Sequence, residues 1–299
     1  MEYSMRAIIC LYVLTCGIIL YNIGCEQMLP FLKWPGGKRW LISRYRQIFP
    51  NNYNIYIEPF LGGGSAFFHL LPNKAIIADV NKELINTYQM MAKHHVQISK
   101  YLKAHQENHN QDYYYKMRDT KFDDSIAQAA RFLYLNRTCF NGMYRVNKFG
   151  RFNVPIGTKK CFIEDINVFE NYAKILNNAR ILKQDFVDTI RSANGGDLVF
   201  ADPPYTIAHN QNSFIKYNEK LFSWKDQIRL LKALIRARNR GAIIIATNAY
   251  YPELQRMYED SQFYTQELRR YSSISGMADG RGKQSELLIS SMPIDLQEQ

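Results

Sequence analysis

Leu198-Val199-Phe200-Ala201-Asp202-Pro203-Pro204-Tyr205 is the stretch that decides the fold of this chain. The apolar run reads as a buried strand, which puts the acid, two prolines and the ring that follow at the rim of a sheet. Such a set suits one demanding task, making the exocyclic amino group of a nucleobase act as a nucleophile. That nitrogen is weakly nucleophilic because its lone pair is delocalised into the ring. The Asp202 carboxylate and the Pro203 carbonyl can both accept hydrogen bonds from the NH2 group, favouring the tetrahedral nitrogen of the transition state. Tyr205 can stack on the base. Asp and Pro are also ordinary turn residues, so the tetrapeptide alone fits a plain turn that closes a strand.

Far upstream, Asn54-Ile55-Tyr56-Ile57-Glu58 has the look of a strand, and Pro59-Phe60-Leu61-Gly62-Gly63-Gly64-Ser65 precedes a helical pattern from Ala66 to Leu71. Glycines at a strand-to-helix turn let the backbone approach a ligand closely. Gly62-x-Gly64 lacks the third glycine of the dinucleotide fingerprint, since Phe67 stands there, and this disfavours a nicotinamide cofactor. The next strand, Ala75-Ile76-Ile77-Ala78, ends in Asp79, an acid spaced to accept hydrogen bonds from the ribose hydroxyls of an adenosyl ligand. Asp79 can equally cap the helix that starts near Asn81. Earlier still, Phe31-Leu32-Lys33-Trp34-Pro35-Gly36-Gly37-Lys38 offers two lysines, an indole and a Gly-Gly turn, a set able to hold a ligand carboxylate and a flat ring. Trp34 taken singly reads as a core residue.

In this order the three elements resemble the DNA adenine methylase (Dam) family, the α-class amino-methyltransferases that use S-adenosylmethionine. Leu135-Asn136-Arg137-Thr138-Cys139-Phe140-Asn141-Gly142-Met143-Tyr144-Arg145, Phe152-Asn153-Val154-Pro155 and the tail from Ser272 to Leu288 match as well, so the likeness runs from about residue 29 to 292. It implies an α/β fold: a Rossmann-like S-adenosylmethionine-dependent methyltransferase sheet with an inserted, mainly helical DNA-recognition domain carrying a β-hairpin. The residues support this. Arg180 to Lys183 and Ala242 to Ala246 are further strand candidates, and Trp224 to Arg240 is helical, with Ser223 as cap and Gly241 as stop. Residues 86–165 are rich in Tyr, His, Asn and Lys and hold a helix candidate from Asp124 to Asn136; this segment reads as the target-recognition domain, between catalytic segments 29–85 and 166–299.

The resemblance also assigns roles. Asp202, Pro203, Pro204 and Tyr205 are the catalytic set. Trp34, Lys38, Asp79 and Asp202 hold S-adenosylmethionine, joined by Phe60, Gly62, Gly64, Asp185 and Phe186; Asp185 alternatively caps a helix. Toward double-stranded DNA, Lys33 contacts the first guanine of the site and Arg145 reads another through its O6 and N7. Phe140, Asn141 and Met143 fall where the family wedges a hairpin into the duplex, with Arg137 and Pro155 beside them. At Thr158 the pattern departs, since some members carry a basic residue there, so readout of the later base pairs is not carried over. The implied reaction is direct transfer to N6 of adenine in GATC, after base flipping, by a monomer that needs no protein partner. N4-cytosine methylation, N6 methylation of RNA and a catalytically silent DNA-binding module are the alternatives.

Length and charge agree with that reading. At 299 residues the chain can bury one sizeable α/β core with a modest second domain, and its net charge of +11 calls for an acidic partner. From Arg131 to Lys160 basic and aromatic residues interleave, as on a surface that grips phosphates and touches bases. Of the five cysteines only Cys139 and Cys161 lie in the body, in no CxxC arrangement, so no zinc site or disulfide framework is indicated. Cys139 does not follow a proline, which leaves C5-cytosine chemistry unsupported. His94-His95 read as surface or packing residues on a helix rather than metal ligands. One feature runs against a cytoplasmic enzyme: residues 1–28 form a hydrophobic extension, nearly continuous from Ala7 to Ile23. As a helix that stretch would reach roughly 26 Å, just short of a hydrocarbon core. Signal peptide and membrane anchor are possible readings, but export would part the enzyme from cofactor and DNA. The expectation is that Met28 is the functional start and residues 1–27 come from an over-extended reading frame.

Overall fold

The computed structural model describes residues 28–162, 166–205, 222–271, 283–294 and 296. The apolar extension up to Gln27 and the tail from Ser272 to Gly282 lie outside the described residues. Five parallel strands, β1 (Tyr56–Glu58), β2 (Ala75–Asp79), β3 (Ala179–Lys183), β4 (Leu198–Ala201) and β5 (Ile243–Ala249), are joined by the antiparallel β6 (Tyr264–Tyr271) and β7 (Lys283–Ser290) in the order β3-β2-β1-β4-β5-β7-β6. This is the expected Rossmann-like methyltransferase sheet. β1 and β4 are neighbours, with Tyr56 opposite Leu198, yet the chain leaves β1 toward β2 and leaves β4 toward β5. The crevice at their C-terminal ends is therefore the switch point at which open α/β sheets bind ligands.

The apolar runs are continuous because both faces of the sheet are covered. Tyr56, Leu198, Phe200, Ile245 and Leu288 turn into one cluster; Ile57, Val199, Ala201, Ile244, Leu287 and Ile289 turn into the other. Burying a large apolar side chain of this kind stabilises the fold by roughly 1.5–3 kcal/mol. Into the first cluster pack α1 (Arg39–Arg44), α2 (Ser65–Leu70), α3 (Lys82–Glu107), α4 (Gln111–Asp119), α5 (Ser125–Thr138) and α6 (Ile166–Leu176). The second takes α7 (Phe186–Arg191), α8 (Trp224–Asn239) and α9 (Pro252–Glu259). Capping follows the sequence signals: Asp124 accepts from Ala127 N at the start of α5, and Ser223 forms a reciprocal capping box with Asp226 at the start of α8. Gly241, at φ +90°, ends α8.

The insert is mainly helical and carries the expected hairpin. Val146 bridges Phe152, Asn147 N donates to Arg151 O (2.8 Å), and Asn153 N donates to Arg145 O (3.1 Å). Tyr114 OH from α4 ties the base of the hairpin down through Val154 O at 2.9 Å. The boundary expected after residue 85 falls inside α3, which runs from the sheet into the insert and leaves helical geometry at His94 (φ −135°). Phe31, Tyr88 and Phe169 share one apolar cluster with Tyr114, Phe132 and Phe162, so sheet and insert have a common core. Among the described residues no helix is long and apolar enough to cross a membrane.

Candidate active site

The glycine turn that follows β1 is shaped by a neighbouring indole. Gly62 (φ +47°) and Gly64 (φ +66°) hold left-handed backbone that a side chain rarely adopts. A Cβ on Gly62 would lie 2.7 Å from Trp34 Cδ1, and one on Gly64 would lie 3.1 Å from the Tyr88 hydroxyl. Close approach was expected for a ligand; the structure shows that protein side chains already require it. Trp34 is half-buried and stacks on Tyr144 with ring centres 4.7 Å apart, so the packing role read for it singly is real.

Asp79 ends β2 and faces this turn. Its Oδ2 accepts from Gly62 N (3.1 Å) and its Oδ1 from Asn81 N (2.9 Å). The cap of α3 is Asn81 rather than Asp79, through a bond from Leu84 N. Burial raises the Asp79 carboxyl from its ordinary value, against the opposing pull of main-chain N–H groups from Asn81, Gly62 and Val80. A desolvated carboxylate that, among the described residues, is held by main-chain donors gains from further hydroxyl donors, so the residues present fit an adenosyl ligand. Alongside, Phe60 stacks on Phe186 at 5.1 Å and meets Phe222 edge-on at 5.6 Å. Asp185 does cap α7, accepting from Val187 N at 2.8 Å, and it also pairs with Arg229 at 3.0 Å. The Arg229 guanidinium lies 4.8 Å from the centre of the Phe186 ring.

Asp202 leaves β4 beside the glycine turn. Lys38 Nζ sits 2.9 Å from Asp202 Oδ1, and Thr247 Oγ1 donates to the same oxygen at 2.7 Å. Lys38 is 3% exposed; its ammonium also donates to Gly36 O (3.0 Å), stands 3.7 Å from Glu286 Oε2, and lies 4.6 Å from the centre of the Tyr205 ring. Pro203 is buried and Pro204 exposed. Beneath them, Glu58 is buried and accepts from Tyr56 OH at 2.9 Å. Burial raises the Glu58 carboxyl well above its usual range, and the nearby charges of Asp202 and Asp79 add to the rise. The rim thus carries an acid anchored through one oxygen, a half-buried ring and a cation enclosed between carboxylates. Sequence reasoning missed Thr247, Glu286 and Glu58. For the two glutamates a signal existed, since each adjoins an apolar run where an acid is costly; for Thr247 there was none.

At the insert, Lys33 from the segment before α1 meets the turn that carries Phe140, Asn141 and Met143, with Pro155 beside it. The main chain of Lys33 is pinned by Asn136, whose Oδ1 accepts from Lys33 N (2.9 Å) and whose Nδ2 donates to Lys33 O (2.8 Å). Gly142 (φ +64°) packs so closely on the Lys33 side chain that it has no room for a Cβ. Phe140 N donates to Pro155 O at 2.9 Å and leaves its ring 50% exposed. Arg145 is exposed on the hairpin, with Nε donating to Asn153 Oδ1 at 2.9 Å. Arg137 departs from expectation. It is buried, and its guanidinium donates to Phe162 O (3.0 Å) and Phe31 O (3.1 Å), tying the insert to the segment before α1 rather than presenting charge to a duplex. Among the described residues, no group of three or more His, Cys, Asp or Glu side chains is placed to hold a metal ion.

Residues 34–271 match the family described as D12 class N6 adenine-specific DNA methyltransferase. The type II methyltransferase M1.LlaDCHI of Lactococcus lactis subsp. cremoris is 35% identical over 272 residues, covering 88% of this chain and 95% of that protein. The DNA adenine methylase of Serratia marcescens is 34% identical, covering 86% and 96%. That of Escherichia coli (strain K12) is 30% identical, covering 86% and 93%. With this match across most of its length, the chain belongs to the D12 class of N6 adenine-specific DNA methyltransferases.

Proposed function

We propose that the protein methylates adenine at N6 in GATC sites of duplex DNA, flipping the base out and transferring the methyl group directly. The observation that carries this reading is Asp202 at the switch point, anchored through Oδ1 by Lys38 and Thr247 beside the glycine turn and Asp79. S-adenosylmethionine, implied by family and fold, supplies a methyl group on a sulfonium leaving group. Asp79 is suited to its ribose hydroxyls, Phe60 with Asp185 and Phe186 to its adenine, and Trp34, Lys38 and the turn at Gly62 and Gly64 to its methionyl end. Asp202 and the Pro203 carbonyl accept from the target amine, Pro204 stiffens the turn, and Tyr205 stacks on the flipped base. Alignment and water exclusion are the protein's share, with no covalent enzyme intermediate. On the DNA side, the exposed Arg145 and Lys33 read guanines, while Phe140, Asn141 and Met143 wedge the duplex next to Pro155. Monomeric action in the cytoplasm belongs to the same proposal.

Labelled methyl transfer tests it, using duplexes with GATC, the same duplexes with the site scrambled, and matched RNA, with the product base identified by mass spectrometry. N6-methyladenine confined to GATC is expected. Label in another sequence, in cytosine or in RNA overturns the proposed specificity, and an Asp202→Ala variant that still methylates overturns the catalytic assignment.

A further inference from the structure

The two oxygens of Asp202 are treated differently by the protein. Oδ1 receives both the Thr247 hydroxyl and the Lys38 ammonium, whereas Oδ2 accepts no hydrogen bond from any described residue. We propose that Thr247 is a positioning residue for methyl transfer, locking the Asp202 carboxylate so that Oδ2 is kept for the amino group of the target base. This rests on the function proposed above. The terminal torsion of an aspartate is broad and roughly two-fold, so a carboxylate tied by a flexible lysine alone would exchange its oxygens. Thr247 is a stiffer anchor. It is β-branched, 1% exposed and set in β5 between β4 and β7, with its main chain opposite Leu288, so its hydroxyl has a fixed origin. A hydroxyl donating to a carboxylate is among the stronger protein hydrogen bonds.

The same arrangement explains why Lys38 does not neutralise the acid from both sides. Its ammonium is shared among Asp202 Oδ1, Gly36 O and the nearby Glu286, and it rests against the Tyr205 ring. Oδ1 therefore takes the structural bonds, and the accepting capacity that chemistry needs stays on Oδ2.

Two variants test the proposal. Thr247→Val preserves shape and removes only the hydroxyl; Thr247→Ser keeps the hydroxyl. Single-turnover methyl transfer is measured at saturating S-adenosylmethionine and DNA, with dissociation constants for both ligands and the melting temperature taken in parallel. Thr247→Val should transfer roughly 10- to 100-fold more slowly, the range expected for one hydrogen bond to a charged group, with both dissociation constants within about twofold of wild type. Thr247→Ser should recover most of the rate. A Thr247→Val enzyme that transfers at the wild-type rate overturns the proposal, as does a Thr247→Ser enzyme as slow as the valine variant. Wild-type protein that fails to methylate adenine defeats the proposed function itself, whereas an active wild type with an unaffected Thr247→Val variant defeats only the positioning role.

Discussion

Replacing Gly62 with alanine separates two costs that the site imposes on one residue. Gly62 sits at φ +47°, and a Cβ there would fall 2.7 Å from Trp34 Cδ1, about 1 Å inside ordinary carbon–carbon contact. Left-handed backbone costs a non-glycine residue about 1–2 kcal/mol. The indole can retreat only by loosening its 4.7 Å stack on Tyr144, an interaction of about 0.5–1.5 kcal/mol beyond burial. Gly62→Ala should therefore destabilise by about 1.5–3.5 kcal/mol, lowering the melting temperature by roughly 2–6 °C. Gly36 provides the control: its φ is +80° and nothing lies within 4 Å of the added Cβ, so Gly36→Ala should lose only the backbone cost, about 1–2 kcal/mol. Denaturant unfolding of both variants, and of Gly62→Ala combined with Trp34→Ala, measures the two contributions apart. If Gly62→Ala proves no worse than Gly36→Ala, or if removing the indole restores none of the difference, the steric reasoning fails.

Arg137→Ala should cost about 3 kcal/mol or more of stability, because it leaves the Phe31 and Phe162 carbonyls without a buried donor, and Arg137→Lys should not restore it; chemical denaturation checks both. Arg145→Ala should leave the melting temperature near that of wild type and relax discrimination at one guanine by roughly 10- to 100-fold, read by methylation of singly substituted sites. Glu58 gives a pH signature. Its folded carboxyl lies above the usual 4.5, so the folded state holds the proton that the unfolded chain releases, and this contribution to stability is complete below about pH 4.5. It is lost as pH rises through the folded value. Stability of wild type relative to Glu58→Gln should accordingly fall with rising pH, and equal slopes for the two proteins would refute a protonated Glu58.

Much of the frame was legible in the residues. β4 and β5 read as strands because burial on both faces leaves no polar alternation, and α8 showed its ends because Ser223 and Gly241 are local signals. Edge strand β6 escaped notice: with Glu267 and Arg269 in it, it pairs, among the described residues, with β7 alone and needs no apolar run. Arg137 was misjudged for a related reason. The resemblance placed it on the DNA side, and only the fold shows the distant Phe31 and Phe162 carbonyls that take its guanidinium.

By itself, then, the sequence determined the five parallel strands, the glycine turn and the Asp202-Pro203-Pro204-Tyr205 rim, because each is written in residues adjacent along the chain, and the family resemblance of the three motifs together added the class of chemistry. Only the tertiary structure decided that Lys38 is enclosed by Asp202 and Glu286, that Thr247 holds one oxygen of Asp202, and that Trp34 rather than a ligand crowds Gly62. Those contacts join remote segments through the sheet order and the packing of the segment before α1. Periodicity and spacing carry no trace of them.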